Sequence, residues 1–164
     1  MAVKQVVIER FSVTSAKPFA DVVSAIEAQV GHPDTGRFLS AIRAAKDDRE
    51  LQGIVKDAVG PHGLMEFVRF NQGEVLRLEL GPKAQNVVRL LIGNVLTMRE
   101  MAKHVPDAGA YAPVTVFVDE RPDGVHISYD RVASLLAPYQ NAEALAVARA
   151  LDTKIESLIN VAAQ

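Results

Sequence analysis

The sequence predicts an α+β domain in which an antiparallel sheet packs against a long C-terminal helix, with a pair of helices added after the first one. Segments rich in β-branched and aromatic residues are grouped along the chain instead of alternating one for one with helices. Helical periodicity is strongest in residues 19–30 and 142–162. The 164 residues are enough for one buried core and no linker divides them, so we expect a single domain over residues 1–164.

Composition and charge exclude several classes of protein. The chain is 49% hydrophobic and 23% charged, which is ordinary for a folded protein and not for a disordered one. It has no cysteine, which excludes disulfides, zinc–thiolate and iron–sulfur sites and thiol catalysis. The net charge of −2 lacks the basic excess typical of proteins that bind nucleic acid. No apolar run is long enough to span a membrane, and charges interrupt residues 1–14, so a cytoplasmic protein is expected.

The first two elements are a strand and a helix. Residues 4–14 are rich in β-branched and aromatic side chains, which favour a strand. From residue 19 to residue 30 the apolar residues recur at the spacing of one helix face. Pro18 suits the first turn of that helix, because its missing N–H costs nothing there, and Gly31 suits its end.

Two further helices are predicted before the next strand. The second helix begins at an N-cap, for which Asp34 and Thr35 are both suited, and it fades at residues 46–48. The third helix is short, with Leu51 among its inward residues, and it ends at Gly60-Pro61, a pair that breaks helices. These two helices are the added pair.

Residues 64–80 predict a β-hairpin around Asn71-Gln72-Gly73. A three-residue loop with Gly73 in the left-handed conformation pairs Val68 with Leu76 and places the leucines on one face. A two-residue loop would move the apolar residues of one strand to the wrong face, so the three-residue loop is preferred. The opposite face then holds Met65, Phe67, Arg69, Val75, Arg77 and Glu79.

A second hairpin follows a strand predicted over residues 85–92 and a helix predicted over residues 95–105. Its turn is Arg121-Pro122-Asp123-Gly124, a composition typical of tight turns. With those four residues as the loop, Val118 opposes Ile127 and Val116 opposes Tyr129 on the core face.

The last element is a long helix that Asn141 caps and that extends to about residue 162. Its inner stripe recurs with helical spacing. The stripe contains the small residues Ala144, Ala148 and Ala162, which either leave room beneath the helix or permit close packing.

Several short segments between residues 90 and 155 form a series that resembles the bacterial family catalogued as domain of unknown function 302, DUF302. The resemblance implies a TBP-like α+β fold, a sheet curved against the long helix and a homodimer, and it implies no reaction. One departure is Val132, which stands where family members often carry proline. The segments are Leu91-Ile92-Gly93-Asn94, Met98, Met101, residues 106–113, Asp123-Gly124-Val125, Ser128-Tyr129-Asp130-Arg131, Ser134-Leu135-Leu136, Tyr139 and residues 148–154.

Seven residues are candidates for binding a ligand. Arginines on a concave sheet can bind a carboxylate or a phosphate through two hydrogen bonds. The alternative for these arginines is neutralisation by the glutamates of the same strands, in exposed pairs that contribute little to stability. The other candidates come from the family-like segments. The seven are Arg69, Arg77, Arg89, Asn94, Tyr111, Tyr129 and Asp130.

Tyr129 and Asp130 also have a purely structural interpretation. Tyr129 lies on the core face of its strand, so its hydroxyl needs a buried partner. Asp130 is placed to cap a short helix over residues 132–136 through its side-chain oxygen. Both interpretations stay open from sequence alone.

The four histidines share no metal-binding spacing, and we predict no metal, cofactor or catalytic residue. The second hairpin places His126 opposite Asp119, with Ser128 on the same face. Residues two apart on a strand lie about 6.5–7 Å apart, beyond hydrogen-bond reach, so a Ser-His-Asp triad is disfavoured. The simpler interpretation is an exposed ion pair between His126 and Asp119.

Two functions from different classes follow. The first is a non-enzymatic homodimeric binding module for a small apolar or acidic ligand, held between the sheet and the last helix. Its dimerisation is predicted from the family resemblance and from Met65, Phe67 and Val75 on one hairpin face. The alternative is a small enzyme of unknown specificity that uses Asp130, Tyr129 or His126 as acid or base. A protein that acts only through its surface remains a third possibility.

Overall fold

The described part of the chain forms one five-stranded antiparallel sheet, in agreement with the predicted α+β class. The computed structural model describes residue 3 and residues 5–164. The strands lie in the order β1-β5-β4-β3-β2, so β1 and β2 form the two edges. They are β1 Arg10–Ser15, β2 Met65–Asn71, β3 Val87–Gly93, β4 Val114–Arg121 and β5 Gly124–Asp130.

Helices fill the intervals, and the predicted helical pair and the long C-terminal helix are both present. The N-caps agree with the local sequence, because the side chains of Asp34, Asp47 and Asn141 each accept a hydrogen bond from a backbone N–H of the first turn. The helices are α1 Phe19–Glu27, α2 Thr35–Ala44, α3 Asp48–Ala58, α4 Gln72–Leu80, α5 Val95–Ala102, α6 Val132–Leu136 and α7 Ala142–Ala163.

The predicted hairpin over residues 64–80 is wrong, because only its first half is a strand. Asn71 ends β2 and caps α4: its Oδ1 accepts from the N–H of Glu74 at 3.3 Å, while its Nδ2 donates to the Glu74 carboxylate at 2.8 Å. An Asn followed three residues later by Glu is a helix-start signal, and it outweighs the turn signal of Asn-Gln-Gly. Arg77 therefore lies on a helix and does not share a sheet face with Arg69. Val75 also lies on α4, and Met65 is fully buried, so the hairpin face predicted for dimerisation does not exist.

The first strand is shorter than predicted. It begins at Arg10, which pairs with Asp130, the last residue of β5, and the described residues 5–9 have no partner strand. Residues 5–9 have no regular structure, and Val7 is 87% exposed. The predicted start at Lys4 lies outside the described residues. Two helices also end early, α1 at Glu27 and α5 at Ala102.

The second hairpin has the predicted register. Val118 pairs with Ile127 and Val116 pairs with Tyr129. The loop is tighter than four residues, because Arg121 pairs with Gly124. Gly124 has φ 134°, a backbone conformation that residues other than glycine rarely adopt.

The two faces of the sheet differ. One face packs with the helices into the main core, which contains alternate residues of β3, β4 and β5 together with buried residues of α1 and α7. Ala144, Ala148 and Ala162 are at most 1% exposed within this core, which favours close packing as their role. The opposite residues of the same strands form an open face. It includes Arg10, Ser12, Thr14, Arg89, Leu91, Thr115, Phe117, Asp119, His126, Ser128 and Asp130.

A second, smaller core joins the helical pair to the edge of the sheet. Phe38 of α2, Val55 of α3 and Met65 of β2 are buried there, and the ring of Phe67 packs edge-on against Phe38. None of the helices described is both long and apolar enough to cross a membrane.

Glycine substitutions test the close crossing between the α1–α2 connection and the end of α3. A Cβ at Gly31 would overlap the backbone carbonyl of Ala58, and the Gly31 N–H and C=O both bond to the segment that leads into β2. We expect Gly31→Ala to lower the free energy of unfolding by several kcal/mol, on the order of the worst packing defects. A Cβ at Gly53, inside α3, would touch nothing, so Gly53→Ala should stabilise the protein by about 0.5–1 kcal/mol. Urea unfolding followed by circular dichroism measures the free energy of unfolding of both variants. Equal changes in the two variants would contradict the close contact between Gly31 and Ala58.

Candidate ligand-binding site

The open face of the sheet carries a cleft of about 400 Å³. Side chains from four strands form its floor, and the loop of residues 109–113 and Leu135 of α6 lie at one end. The Ala112–Pro113 peptide bond in that loop is cis. The side chains that give the lining its chemistry are Arg10, Arg89, Leu91, Tyr111, Pro113, Thr115, Phe117, Ser128, Asp130 and Leu135.

Arg89 supplies the cleft with a cation that no carboxylate neutralises within the described part of the chain. Its Nε and an Nη atom lie 3.3 and 3.2 Å from Oγ1 of Thr115 on the neighbouring strand. These bonds are long, and a hydroxyl does not compensate the guanidinium charge. The ion pairs among the described residues do not include Arg89, whose donors are therefore available to an anion.

Arg10 and Asp130 form a two-point ion pair at the other side of the cleft. Arg10 Nε and an Nη atom donate to the two carboxylate oxygens of Asp130 at 2.7 and 2.9 Å, because the β1–β5 register places the two residues opposite each other. The hydrogen bond to Asp130 raises the pKa of Arg10. Both carboxylate oxygens of Asp130 are thus bonded to Arg10. The prediction that the side chain of Asp130 caps α6 is wrong.

The cap of α6 comes instead from Asp152 of α7. Its carboxylate accepts hydrogen bonds from the N–H groups of Val132 and Ala133 at 2.9 and 3.0 Å. The hydroxyl of Tyr129 donates to the same carboxylate, so the buried partner predicted for Tyr129 is Asp152. Burial raises the pKa of Tyr129 and also that of Asp152, although the hydrogen bonds from Tyr129 and from the two N–H groups oppose the shift at Asp152.

Arg131, the residue after β5, forms ion pairs with two other segments of the chain. It donates to Glu156 of α7 at 2.7 Å and to Glu9 at 3.0 Å, and the hydrogen bond to Glu156 raises its pKa. Three consecutive side chains, Tyr129, Asp130 and Arg131, thus attach β5 to α7, to β1 and to the segment before β1. The structural interpretation of this motif is therefore favoured, while Asp130 also lines the cleft.

Three candidates lie away from the cleft. Arg69 pairs with Glu27 and Glu66 on the opposite side of the sheet from Arg89. Arg77, on α4, donates to the side chain of Asn86. Asn94 caps α5 by accepting from the N–H of Leu96 at 2.8 Å.

Each of the three groups offered as acid or base has a structural partner. Tyr129 bonds to Asp152 and Asp130 to Arg10. His126 lies opposite Asp119 as predicted, but its ring nitrogen bonds to Asp123 at 2.9 Å. Asp119 pairs instead with Arg121. His126 does not line the cleft, so the three groups do not meet at one site.

The structure thus brings Arg89, Tyr111, Tyr129 and Asp130 to one cleft and leaves Arg69, Arg77 and Asn94 elsewhere. Sequence reasoning missed Arg10, Thr115, Phe117 and Ser128. The alternation of β4 and β5 could have placed Thr115, Phe117 and Ser128 on the face opposite the core, whereas Arg10 needed the β1–β5 pairing. The described residues hold no group of three or more His, Cys, Asp or Glu that could bind a metal ion.

Comparison with known proteins shows the family to which this chain belongs. The family model for "Domain of unknown function DUF302" matches residues 43–162, which include most of the cleft but not Arg10. The chain belongs to the DUF302 family. The resemblance noted in the sequence is thus confirmed, and the family description itself names no activity.

A solved structure has the same fold as this DUF302 protein. It is the crystal structure of an uncharacterized conserved DUF302 protein from Bacillus stearothermophilus, with a TM-score of 0.65 and 10% sequence identity. The match covers 93% of this chain and 97% of that one. At such low identity the likeness shows the fold alone. No curated protein matches the chain in sequence.

Titration of tyrosine absorbance tests the buried hydroxyl of Tyr129. The chain has three tyrosines and no tryptophan, and in the unfolded chain tyrosine ionises near pH 10. Because burial raises the pKa of Tyr129 in the folded state, we expect it to stay protonated well above about pH 10 until the protein unfolds. The folded state then holds this proton to higher pH than the unfolded state. The resulting stability is complete below about pH 10 and is lost as the pH rises further.

The variant Tyr129→Phe is the control for this titration. It should remove one tyrosine from the ionisation step that accompanies unfolding. If Tyr129 instead ionises in the folded protein near pH 10, like a solvated phenol, then its burial against Asp152 is contradicted.

Proposed function

We propose that this DUF302 protein is a binding module for a small molecule that joins one acidic group to an apolar body, held in the cleft on the open face. The observation that carries the proposal is Arg89, a guanidinium in the cleft with no carboxylate partner among the described residues. A planar guanidinium binds a carboxylate or phosphate group through two parallel hydrogen bonds.

The charge of the lining supports an anionic ligand. Its charged residues are Arg10, Arg89 and Asp130, and the pairing of Arg10 with Asp130 leaves the charge of Arg89 in excess. An anion placed in the cleft therefore meets one positive charge that no carboxylate of the lining compensates.

The remainder of the lining supports an apolar body on the same ligand. Leu91, Phe117, Pro113 and Leu135 supply apolar contacts, and Ser128 and Thr115 add hydroxyls among them. Small-molecule sites typically combine an apolar wall with a few polar groups that fix orientation. The cleft is not the predicted gap between sheet and last helix, where the alanines are packed in the core.

Substitution of Arg89 tests the proposal with benzoate as the probe, because benzoate has one carboxylate on an apolar ring. Titration should shift the backbone amide resonances of Thr115, Phe117 and Ser128. Arg89→Met keeps an apolar stem and removes the charge, so benzoate should bind about tenfold or more weakly.

The matched control is Arg77→Met, because Arg77 lies on α4 and outside the cleft. It should bind benzoate as the native protein does. Equal loss in both variants, or resonance shifts that spread away from the cleft, would overturn the proposal.

We also infer that the protein forms a homodimer through an apolar surface on β2 and α4, here called the α4 patch. Its residues are Phe70, Val75, Leu76, Leu78 and Leu80, with exposed fractions of 47, 67, 39, 90 and 52%. A concentration of exposed apolar side chains on two neighbouring elements is typical of an interaction site. The patch adjoins β2, an edge strand of the sheet.

The charges beside the α4 patch favour a second copy as the occupant. Glu74 and Glu79 are balanced by Arg77 and Lys83, so the surface is neutral and carries both signs. In a two-fold dimer the same surface meets itself, and a balanced set allows each charge to face its opposite. A strongly charged partner would find no complementary excess here.

Substitution of Leu78 tests the dimer. Leu78 is 90% exposed, so Leu78→Glu should leave folding intact and convert a dimer at tens of micromolar into a monomer in sedimentation. The control is Val161→Glu, which places the same charge at an exposed apolar position on α7 and should leave the dimer intact. A native protein that sediments as a monomer would refute this interface.

A further inference from the structure

A row of three polar side chains approaches one end of the cleft. Tyr139 donates its hydroxyl to the Asp107 carboxylate at 2.8 Å, and the hydroxyls of Tyr139 and Tyr111 lie 3.4 Å apart. Tyr111 lines the cleft, whereas Tyr139 and Asp107 are not among its lining residues. The segment of residues 106–111 and the turn of residues 137–139 therefore meet at this row.

The direction of the hydrogen bonds follows from counting protons. An ionised carboxylate only accepts, so the single hydroxyl proton of Tyr139 is directed at Asp107. The oxygen of Tyr139 then offers only a lone pair to Tyr111. The proton of Tyr111 is directed at Tyr139, in a weak contact of 3.4 Å that sets the preferred orientation of the hydroxyl and adds little stability.

Tyr111 lines the cleft, and with its proton directed at Tyr139 its hydroxyl oxygen can act towards a ligand there only as an acceptor. Arg89 at the same site is purely a donor. A ligand that satisfies both groups needs an acidic group for Arg89 and a separate hydrogen-bond donor for Tyr111. The unneutralised charge of Arg89 disfavours a second cation such as ammonium, so the fitting donor is a neutral hydroxyl.

We infer that Tyr111, oriented by Tyr139 and Asp107, selects hydroxy acids, such as hydroxylated aromatic carboxylates, over acids that lack a hydroxyl. This inference rests on the proposed function, because it concerns the same cleft and the same Arg89. It names the class of ligand that the cleft prefers and makes Tyr111 the residue that determines specificity. Tyr139 acts through Tyr111 and is a positioning residue.

Three probes of similar size test the inference: benzoate, hydroxybenzoate and methoxybenzoate. The hydroxyl of hydroxybenzoate can donate to Tyr111, whereas the ether oxygen of methoxybenzoate can only accept. Meta and para isomers of both cover different positions of the group. In the native protein we expect one hydroxybenzoate isomer to bind about five- to tenfold more tightly than benzoate, the gain of one hydrogen bond, and its methoxy counterpart to show no gain.

Two variants separate the specificity role from a structural one. Tyr111→Phe should lose the preference for hydroxybenzoate over benzoate, measured as the ratio of the two affinities within the same variant. Tyr139→Phe removes the acceptor for the Tyr111 proton, so Tyr111 becomes free to donate, and the affinity for methoxybenzoate should rise relative to hydroxybenzoate. A merely structural role for Tyr139 would weaken all three probes together.

The outcomes distinguish the two proposals. If benzoate itself does not bind in the cleft, the proposed function fails and the inference fails with it. If benzoate binds through Arg89 but no hydroxybenzoate isomer is preferred, or the preference survives in Tyr111→Phe, then the proposed function stands and the inference is overturned. Should either variant fail to fold, the comparison of the three probes on the native protein still decides.

Discussion

The buried carboxylate of Asp152 is the interaction on which the end of the sheet depends. It receives the Tyr129 hydroxyl and the first two free N–H groups of α6, which binds β5, α6 and α7 at one point. A buried donor left without a partner costs about 1–3 kcal/mol, so three donors on one carboxylate make this position sensitive. Burial raises the pKa of Asp152, and the three hydrogen bonds offset part of this cost to the charged form.

The geometry of the cleft follows from the hydrogen bond between Tyr129 and the buried carboxylate of Asp152. Because Tyr129 points into the core, its neighbours Ser128 and Asp130 must face the open side of the sheet. Asp130 there meets Arg10, and this neutral pair leaves Arg89 as the uncompensated charge of the lining. The same alternation that completes the core therefore sets the electrostatic character of the cleft, and the proposed ligand class derives from it.

Comparison of the two hairpin predictions shows what local pattern can and cannot predict. The hairpin over residues 114–129 has two alternating strands and a strong turn, so its register was predictable, and the pairing of Val116 with Tyr129 is confirmed. Around Asn71 the signals conflict, because the leucines that follow suit a strand as well as a helix. Helix α4 leaves Leu78 90% exposed, so burial of its apolar residues did not select it. The capping contact between Asn71 and Glu74 favours the helix instead.

The sequence by itself determined the α+β class, the helical pair, the long capped C-terminal helix and the family, because periodicity and capping are local properties of the chain. It also indicated four of the residues that meet in the cleft. Only the tertiary structure decided which partners those residues have. The links from Arg10 to Asp130 and from Tyr129 to Asp152 join positions far apart along the chain, and strand pairing and helix packing bring them together. Local pattern carries no information about such distances, so the charge that remains free in the cleft could be read only from the folded chain.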